Sequence, residues 1–263
     1  MSTVEVTPLY EGTFSVGLDK LFNRIDKSDS PKKGALKLSI NPFLIDEGDK
    51  KILFDVGIGD LFGGDTSIQT ILDNLDEQGV SDFEITDIFL SHLHFDHIAG
   101  LANRTNGYLE LTFPEATIWA SEKGWNQLRN NIDDHDESKI DFFHFLDSHA
   151  SLRFISDDDQ PLPHVNVKKI GGHTEFHQLL RYENGNSKYL MAGDVIGTKG
   201  AINRTYAAKY DFDPEQSMKL RKELQELAYN EGFTFLAYHE TDSPMFKLVD
   251  FDKSKGYTVE KIK

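Results

Sequence analysis

The sequence predicts a layered α/β domain of the α+β kind, with two sheets inside and helices outside. Three observations lead there. Strands and helices alternate along the chain, with hairpins inserted between them. The apolar runs are β-rich, and both strand families need covering by helices. The chain has 263 residues with 38% hydrophobic and 27% charged, enough for one well-buried domain. The expectation is therefore a single domain over residues 1–263.

Val4 to Leu9 reads as a first strand. Leu36 to Ile45 is apolar, Glu47-Gly48-Asp49-Lys50 turns, and Lys51 to Phe54 returns as a hairpin. Thr66 to Gln78 places Ile68, Ile71, Leu72 and Leu75 at helical spacing, and Gly79 closes that helix. Ile85 to Leu90 is a buried strand, and Ala116 to Trp119 another. Ser121 then caps a helix through Asn130, with Glu122 in its first turn.

Residues 131–149 form an acidic, then aromatic segment that has the character of an insertion. Either it is a solvated loop followed by a short amphipathic helix, or it is a lid or pocket wall presenting Phe142, Phe143 and Phe145. Leu152 to Ile155, Val165 to Ile170, Gln178 to Tyr182 and Tyr189 to Ala192 read as four more strands, the last two joined by a turn at Asn184-Gly185-Asn186. Asp213-Pro214 opens a helix, with Leu220, Leu224, Leu227 and Ala228 along one face. Phe233 to Ala237 is the final core strand expected, ending at Tyr238-His239.

Composition excludes several kinds of chemistry. With no Cys there is no disulfide framework, thiolate metal site or Cys nucleophile, so any metal must be held by His, Asp or Glu. The N-terminus carries no basic patch followed by an apolar run, and no stretch is long enough to span a membrane, so a cytoplasmic location is expected. The net charge of -16 opposes phosphate backbones, which argues against a nucleic-acid partner.

The segment Ser91-His92-Leu93-His94-Phe95-Asp96-His97 packs three His and one Asp into six residues at the end of a buried strand. Imidazole and carboxylate together suit zinc, iron, manganese or cobalt. The motif cannot saturate a site alone. His173, Asp194 and His239 each follow an apolar run, where the chain leaves the core.

His92-x-His94-x-Asp96-His97, then Gly172-His173-Thr174, Gly193-Asp194 and a late His239, in that order, resemble the metallo-β-lactamase superfamily. The resemblance runs over nearly the whole chain and implies a four-layer αββα sandwich. It assigns His92, His94 and His173 to a first divalent cation and Asp96, His97 and His239 to a second. Asp194 would bridge both, together with a water or hydroxide that attacks a carbonyl or phosphoryl centre. Zinc is the leading ion, with manganese, iron and cobalt as alternatives. Asp96 or a pocket tyrosine would protonate the leaving group. Asp55, in Leu53-Phe54-Asp55-Val56-Gly57, would either orient a ligand or merely cap a strand end.

Within the superfamily, the absence of Cys excludes members with a Cys ligand, and His94 differs from the Glu of the diiron oxygen reductases. The acidic surface argues against RNA-processing members, and there is no basic C-terminal domain of the glutathione-thioester hydrolase kind. What remains is most similar to the quorum-quenching N-acyl homoserine lactonases and the related esterase and organophosphate hydrolases. Ser91 through His97, and Asp194 through Tyr210-Asp211-Phe212-Asp213-Pro214, carry that similarity. Glu175-Phe176-His177 departs from the Pro-Gly-His of the lactonases, with His177 retained. Val195-Ile196-Gly197-Thr198 holds no Tyr, leaving Tyr206 or Tyr210 to supply a pocket phenol or simply to pack. His135, His144, His149, His164 and His177 stay outside the metal set.

The resemblance thus implies a hydrolase of esters or lactones, with a small-molecule substrate and room for a homodimer. Phosphoester hydrolysis on the same site is one alternative, and a non-catalytic metal-binding protein is another.

Overall fold

The computed structural model describes residues 4–63 and 65–262; the N-terminal reading at residues 1–3 lies outside them. The chain folds into two compact units, Met1–Phe154 and Ile155–Lys263.

The first unit runs β1 (Glu5–Pro8), β2 (Gly12–Val16), β3 (Phe22–Ile25), β4 (Leu36–Ile40), β5 (Phe43–Asp46), β6 (Lys51–Phe54), α1 (Ile68–Glu77), β7 (Asp87–Phe89), α2 (Phe95–Ile98), β8 (Ala102–Thr105), β9 (Tyr108–Leu111), β10 (Thr117–Ser121), α3 (Glu122–Asn131), α4 (Glu137–His149) and β11 (Ser151–Ile155). Its main sheet has the order β1-β5-β6-β7-β10-β11. The expected hairpin is β5–β6, with Phe43 opposite Phe54. β6, β7 and β10 pair in parallel. Parallel strands are covered on both faces, which is why Ile52, Leu53, Phe54, Ile88 and Phe89 are all fully buried.

Leu36 to Ile45 is two strands rather than one run. Pro42 has no N–H to give a ladder, and the chain turns there. β4 joins the small sheet β3-β2-β4, whereas β5 joins the main sheet. The β8–β9 hairpin, which the apolar pattern does not reveal, closes on Asn106-Gly107, with φ of 51° and 89°.

Residues 131–149 are a mostly exposed segment that ends in a helix and sends Ile132, Phe142, Phe143 and Leu146 into the core. Asp136 caps α4 by accepting from Lys139 N. Phe142, Phe143 and Leu146 then sink into one cluster with Trp125, Ile71, Leu75 and Ile88. Phe142 and Phe143, at 1% exposure, are core residues and not a pocket surface, because α4 turns its apolar side inward. Phe145 is only partly buried and, with His149, lines an open cleft of about 770 Å³.

The second unit runs β12 (Asp158–Leu162), β13 (Val165–Lys169), β14 (Gln178–Asn184), β15 (Ser187–Met191), α5 (Pro214–Glu231), β16 (Thr234–Leu236), β17 (Met245–Asp252) and β18 (Gly256–Lys261). These strands form one sheet in sequence order, antiparallel except for β15–β16. α5 starts as its sequence predicts: Asp213 accepts from Gln216 N, Pro214 follows, and Gly232 ends the helix at φ 75°. Its Leu224 and Ala228 bury against Leu190, Phe235 and Phe246. β16 is not the last strand. β17 and β18 follow it, and the exposure of Val249 and Phe251 hides their pattern in the sequence.

Each unit therefore carries a large sheet with helices, the mixed α/β content expected. Among the described residues, no helix is long and apolar enough to cross a membrane.

Candidate metal centre

In the first unit, β7 delivers the chain through Leu90 and Ser91 to His92. A single buried carboxylate organises the loop that begins there. Asp55, at the end of β6, takes a left-handed backbone with φ 55°, and its N–H donates to Phe89 O at 2.9 Å. Asp is among the few residues that visit this region with a local hydrogen bond in return. Its Oδ1 accepts from Ser91 N and its Oδ2 from Ser91 Oγ, both at 2.7 Å. Oδ2 also accepts from His97 Nδ1 at 2.7 Å.

That last bond sets the tautomer. A carboxylate only accepts, so the neutral imidazole carries its proton on Nδ1 and presents the Nε2 lone pair. Ser91 Oγ, having donated to Asp55, has a lone pair for His92 Nδ1 at 3.0 Å. His92 Nε2 and His94 Nδ1 then converge at 3.0 Å. His97 Nε2 lies 3.7 Å from Asp96 Oδ2. The loop docks tightly: a Cβ on Gly100 would stand 1.9 Å from Val56 O.

In the second unit the ligand candidates come from three strand ends. Gly171 and Gly172, with φ of 72° and 88°, turn the chain out of β13, and a Cβ on Gly172 would be 2.8 Å from Ser217 Oγ of α5. Phe212 N donates to His173 O at 3.0 Å, which places Asp211 beside the imidazole. His173 Nδ1 donates to Asp211 Oδ1 at 2.9 Å, so its Nε2 presents the lone pair, 3.3 Å from Asp194 Oδ2. Asp194 sits in the 3-10 turn after β15, and its Oδ1 lies 3.0 Å from His239 Nε2. His177 is fully buried and donates from Nε2 to Ala192 O at 3.0 Å, bracing the His173 loop against the Asp194 turn.

These donors fit divalent cations. The neutral Nε2 of His173 and the Asp194 carboxylate are both acceptors, and they face each other with the imidazole proton already committed to Asp211. Two lone pairs at 3.3 Å repel unless a proton or a cation lies between them. The donor set is nitrogen and oxygen throughout, as first-row divalent ions prefer. The described residues thus include His and Asp groups able to hold metal ions.

The two tyrosines differ in placement. Tyr206 lays its ring on the guanidinium of buried Arg221, 4.0 Å away, and its carbonyl accepts from Arg221 Nη2 at 2.7 Å. Tyr210 stands beside His173, ring centroids 5.9 Å apart. Partial burial pushes its phenol up to about 12, helped by the nearby Tyr206, Asp194 and Asp211.

The sequence places Asp211 in the stretch similar to the lactonases but gives it no role, since its partner His173 lies 38 residues away. Sequence reasoning missed Glu11, whose buried carboxyl accepts from Ile58 N at 3.0 Å in the loop after Asp55. Burial pushes Glu11 up to about 8, against the pull of the Ile58 bond and of Arg24. Of the two readings of Asp55, the bonds from Ser91 agree with a strand-end cap and the bond from His97 Nδ1 with the orienting of that imidazole.

The profile of the metallo-beta-lactamase superfamily matches residues 36–239. No curated protein sequence matches the chain. Among solved structures, the chain is similar to a probable metal-dependent hydrolase from Staphylococcus aureus, with 20% identity and a TM-score of 0.78 over 99% of this chain and 97% of that one. It is similar to the hydrolase AbOPH in the beta lactamase superfamily, with 23% identity and a TM-score of 0.79 over 100% and 96%. It is also similar to AidC, a dizinc quorum-quenching lactonase, with 21% identity and a TM-score of 0.77 over 100% and 96%. At these identities the likeness concerns the fold.

Proposed function

The chain belongs to the metallo-beta-lactamase superfamily and is a hydrolase by that membership, and from this premise we propose that it opens small esters or lactones, N-acyl homoserine lactones first, with two divalent cations. His92, His94 and His173 serve the first cation, and Asp96, His97 and His239 the second. Asp194 would serve both. Zinc suits this set, with manganese, iron and cobalt as alternatives. When bound, the cations supply an acidified water as nucleophile and a positive field for the charge that develops on the carbonyl oxygen.

The chain's own residues do the rest. Asp55 holds the proton on His97 Nδ1, and Asp211 holds the one on His173 Nδ1, so both Nε2 lone pairs stay directed. Tyr210 keeps its phenolic proton through neutral pH and offers it to a leaving-group oxygen. Asp96 is the alternative donor: its carboxylate would take the proton released by the attacking water and pass it to the leaving-group oxygen. Tyr206 buttresses this loop through Arg221.

The observation that carries the reading is the pair of imidazoles, one in each unit, each oriented by a buried carboxylate and aimed at acceptor oxygens. The likeness to a dizinc lactonase is the reason a lactone leads the substrate choice. The test is metal content together with hydrolysis of an acyl-homoserine lactone, an aryl ester and an aryl phosphotriester. About two metals per chain with lactone cleavage leading is the expected result. Phosphotriester cleavage leading would overturn the substrate, and a loaded protein inert to the whole panel would overturn the catalytic reading.

A further inference from the structure

Two ligand-bearing loops of the second unit are tied together by a residue that no proposed step uses. Glu240 directly follows His239 and is 5% exposed. Its Oε2 accepts from the main-chain N–H of Lys199 at 2.9 Å. Its Oε1 accepts from Asp242 N at 3.0 Å and faces the Lys199 ammonium at 3.3 Å. Lys199 Nζ also bonds Asp242, whose carboxylate takes Lys261 Nζ as well.

Lys199 opens the 3-10 turn Lys199–Ala201, a short step along the chain from the turn Gly193–Ile196 that carries Asp194. Between them, Gly197 O accepts from His239 N at 2.8 Å. A Cβ on Gly197 would be 3.3 Å from His239 Cδ2, so the imidazole already lies against this backbone. A buried carboxylate persists only where donors replace its hydration. An apolar side chain would fill the same space with no such demand. What the carboxylate adds is direction: one rigid fork holds an N–H from each loop.

We infer that Glu240 is a positioning residue whose carboxylate locks the 193–201 run onto the His239 loop and so keeps His239 Nε2 registered against Asp194 Oδ1. This rests on the reading of Asp194 and His239 as metal ligands. A latch that merely stabilised the fold would lower the melting temperature and leave metal binding alone. A positioning residue changes the affinity of the cation that His239 serves.

The test uses the full chain as wild type, Glu240→Gln and Lys199→Pro. Gln keeps the shape but has one acceptor oxygen, so it cannot serve both N–H groups. Lys199→Pro deletes the same N–H from the other side, at the first position of a helical turn where proline's fixed φ is tolerated. Zinc is titrated against a chromophoric chelator, and the His239 imidazole is followed by NMR in the metal-free protein. The wild type should bind two zinc ions. Both variants should keep one site unchanged and bind the other about tenfold or more weakly, as loss of a ligand-orienting contact does. Their His239 resonance should shift or broaden without zinc. Variants that bind both ions as the wild type does, with an unmoved resonance, overturn the inference whatever their melting temperature. A wild type that binds no zinc overturns the ligand reading itself, and this inference with it.

Discussion

The two units hold their ligand candidates by different means. In the first, His92, His94, Asp96 and His97 share one loop, and a single carboxylate, Asp55, ties its two ends through Ser91 and His97. In the second, His173, Asp194 and His239 leave three separate strand ends and are registered by main-chain bonds and left-handed glycines. A local cluster needs one anchor. A dispersed set needs several, and its accuracy is spread over Asp211, the glycines and the main-chain bonds at three strand ends.

The largest test of this contrast is Asp194→Ala, which removes the carboxylate facing both His173 and His239. It should lower kcat/KM by roughly 10³-fold, about 4 kcal/mol of transition-state stabilisation, and lower metal content with it. Near-normal turnover with full metal occupancy would break the reading of Asp194 as a shared ligand. Next come the two orienting carboxylates. Asp55→Asn and Asp211→Asn should each weaken zinc binding about 10- to 100-fold. Asp55 should cost more, because it also anchors Ser91. Equal effects would mean that one anchor is no more exposed to failure than several.

A third test concerns stability in the first unit. Glu11 is raised to about 8 in the folded chain from an ordinary 4.5. Its folded form binds the proton more tightly, so its stabilising effect is full below about pH 4.5 and declines as pH rises towards 8. The slope is at most about 1.4 kcal/mol per pH unit for one group. Glu11→Gln keeps an acceptor for Ile58 N and should remove that slope, melting higher than the wild type at pH 8 and alike at pH 4.5. Parallel melting curves across this range would rule it out. The smallest effect separates the tyrosines. Tyr210→Phe should lower kcat on the order of 10-fold with KM little changed. Tyr206→Phe keeps its ring on Arg221 and should stay within about twofold of wild type. Reversed effects would hand the proton to Tyr206.

The ligand candidates are legible because metal-binding side chains must sit where apolar runs end, and the sequence marks those places. His92, His173, Asp194 and His239 each follow such a run. The hairpin at Glu47–Lys50 and the cap at Asp213-Pro214 are legible for a similar reason, since turn and cap chemistry is local. Asp211, Glu11 and Glu240 are not, because each acts through a partner far along the chain and looks like any other of 44 acidic residues. The Leu36–Ile45 run misleads because hydrophobicity does not record that Pro42 sends its halves to different sheets. Of the two readings of residues 131–149, the loop followed by a short amphipathic helix agrees with α4, which buries Phe142 and Phe143; the pocket-wall reading arises because the acidic stretch before them resembles a surface insertion.

The left-handed backbone at Asp55 also bears on how the protein can change. Its φ of 55° costs most side chains about 1 kcal/mol or more, and its oxygens serve three donors. Glycine suits the backbone and forfeits all three bonds. Glutamate keeps a carboxylate and fits neither the backbone nor the reach. Asparagine suits the backbone but turns an amide N–H towards a donor. No single replacement meets both demands, so drift at this position is confined, and a new substrate is more readily reached by altering other loops than by altering this corner.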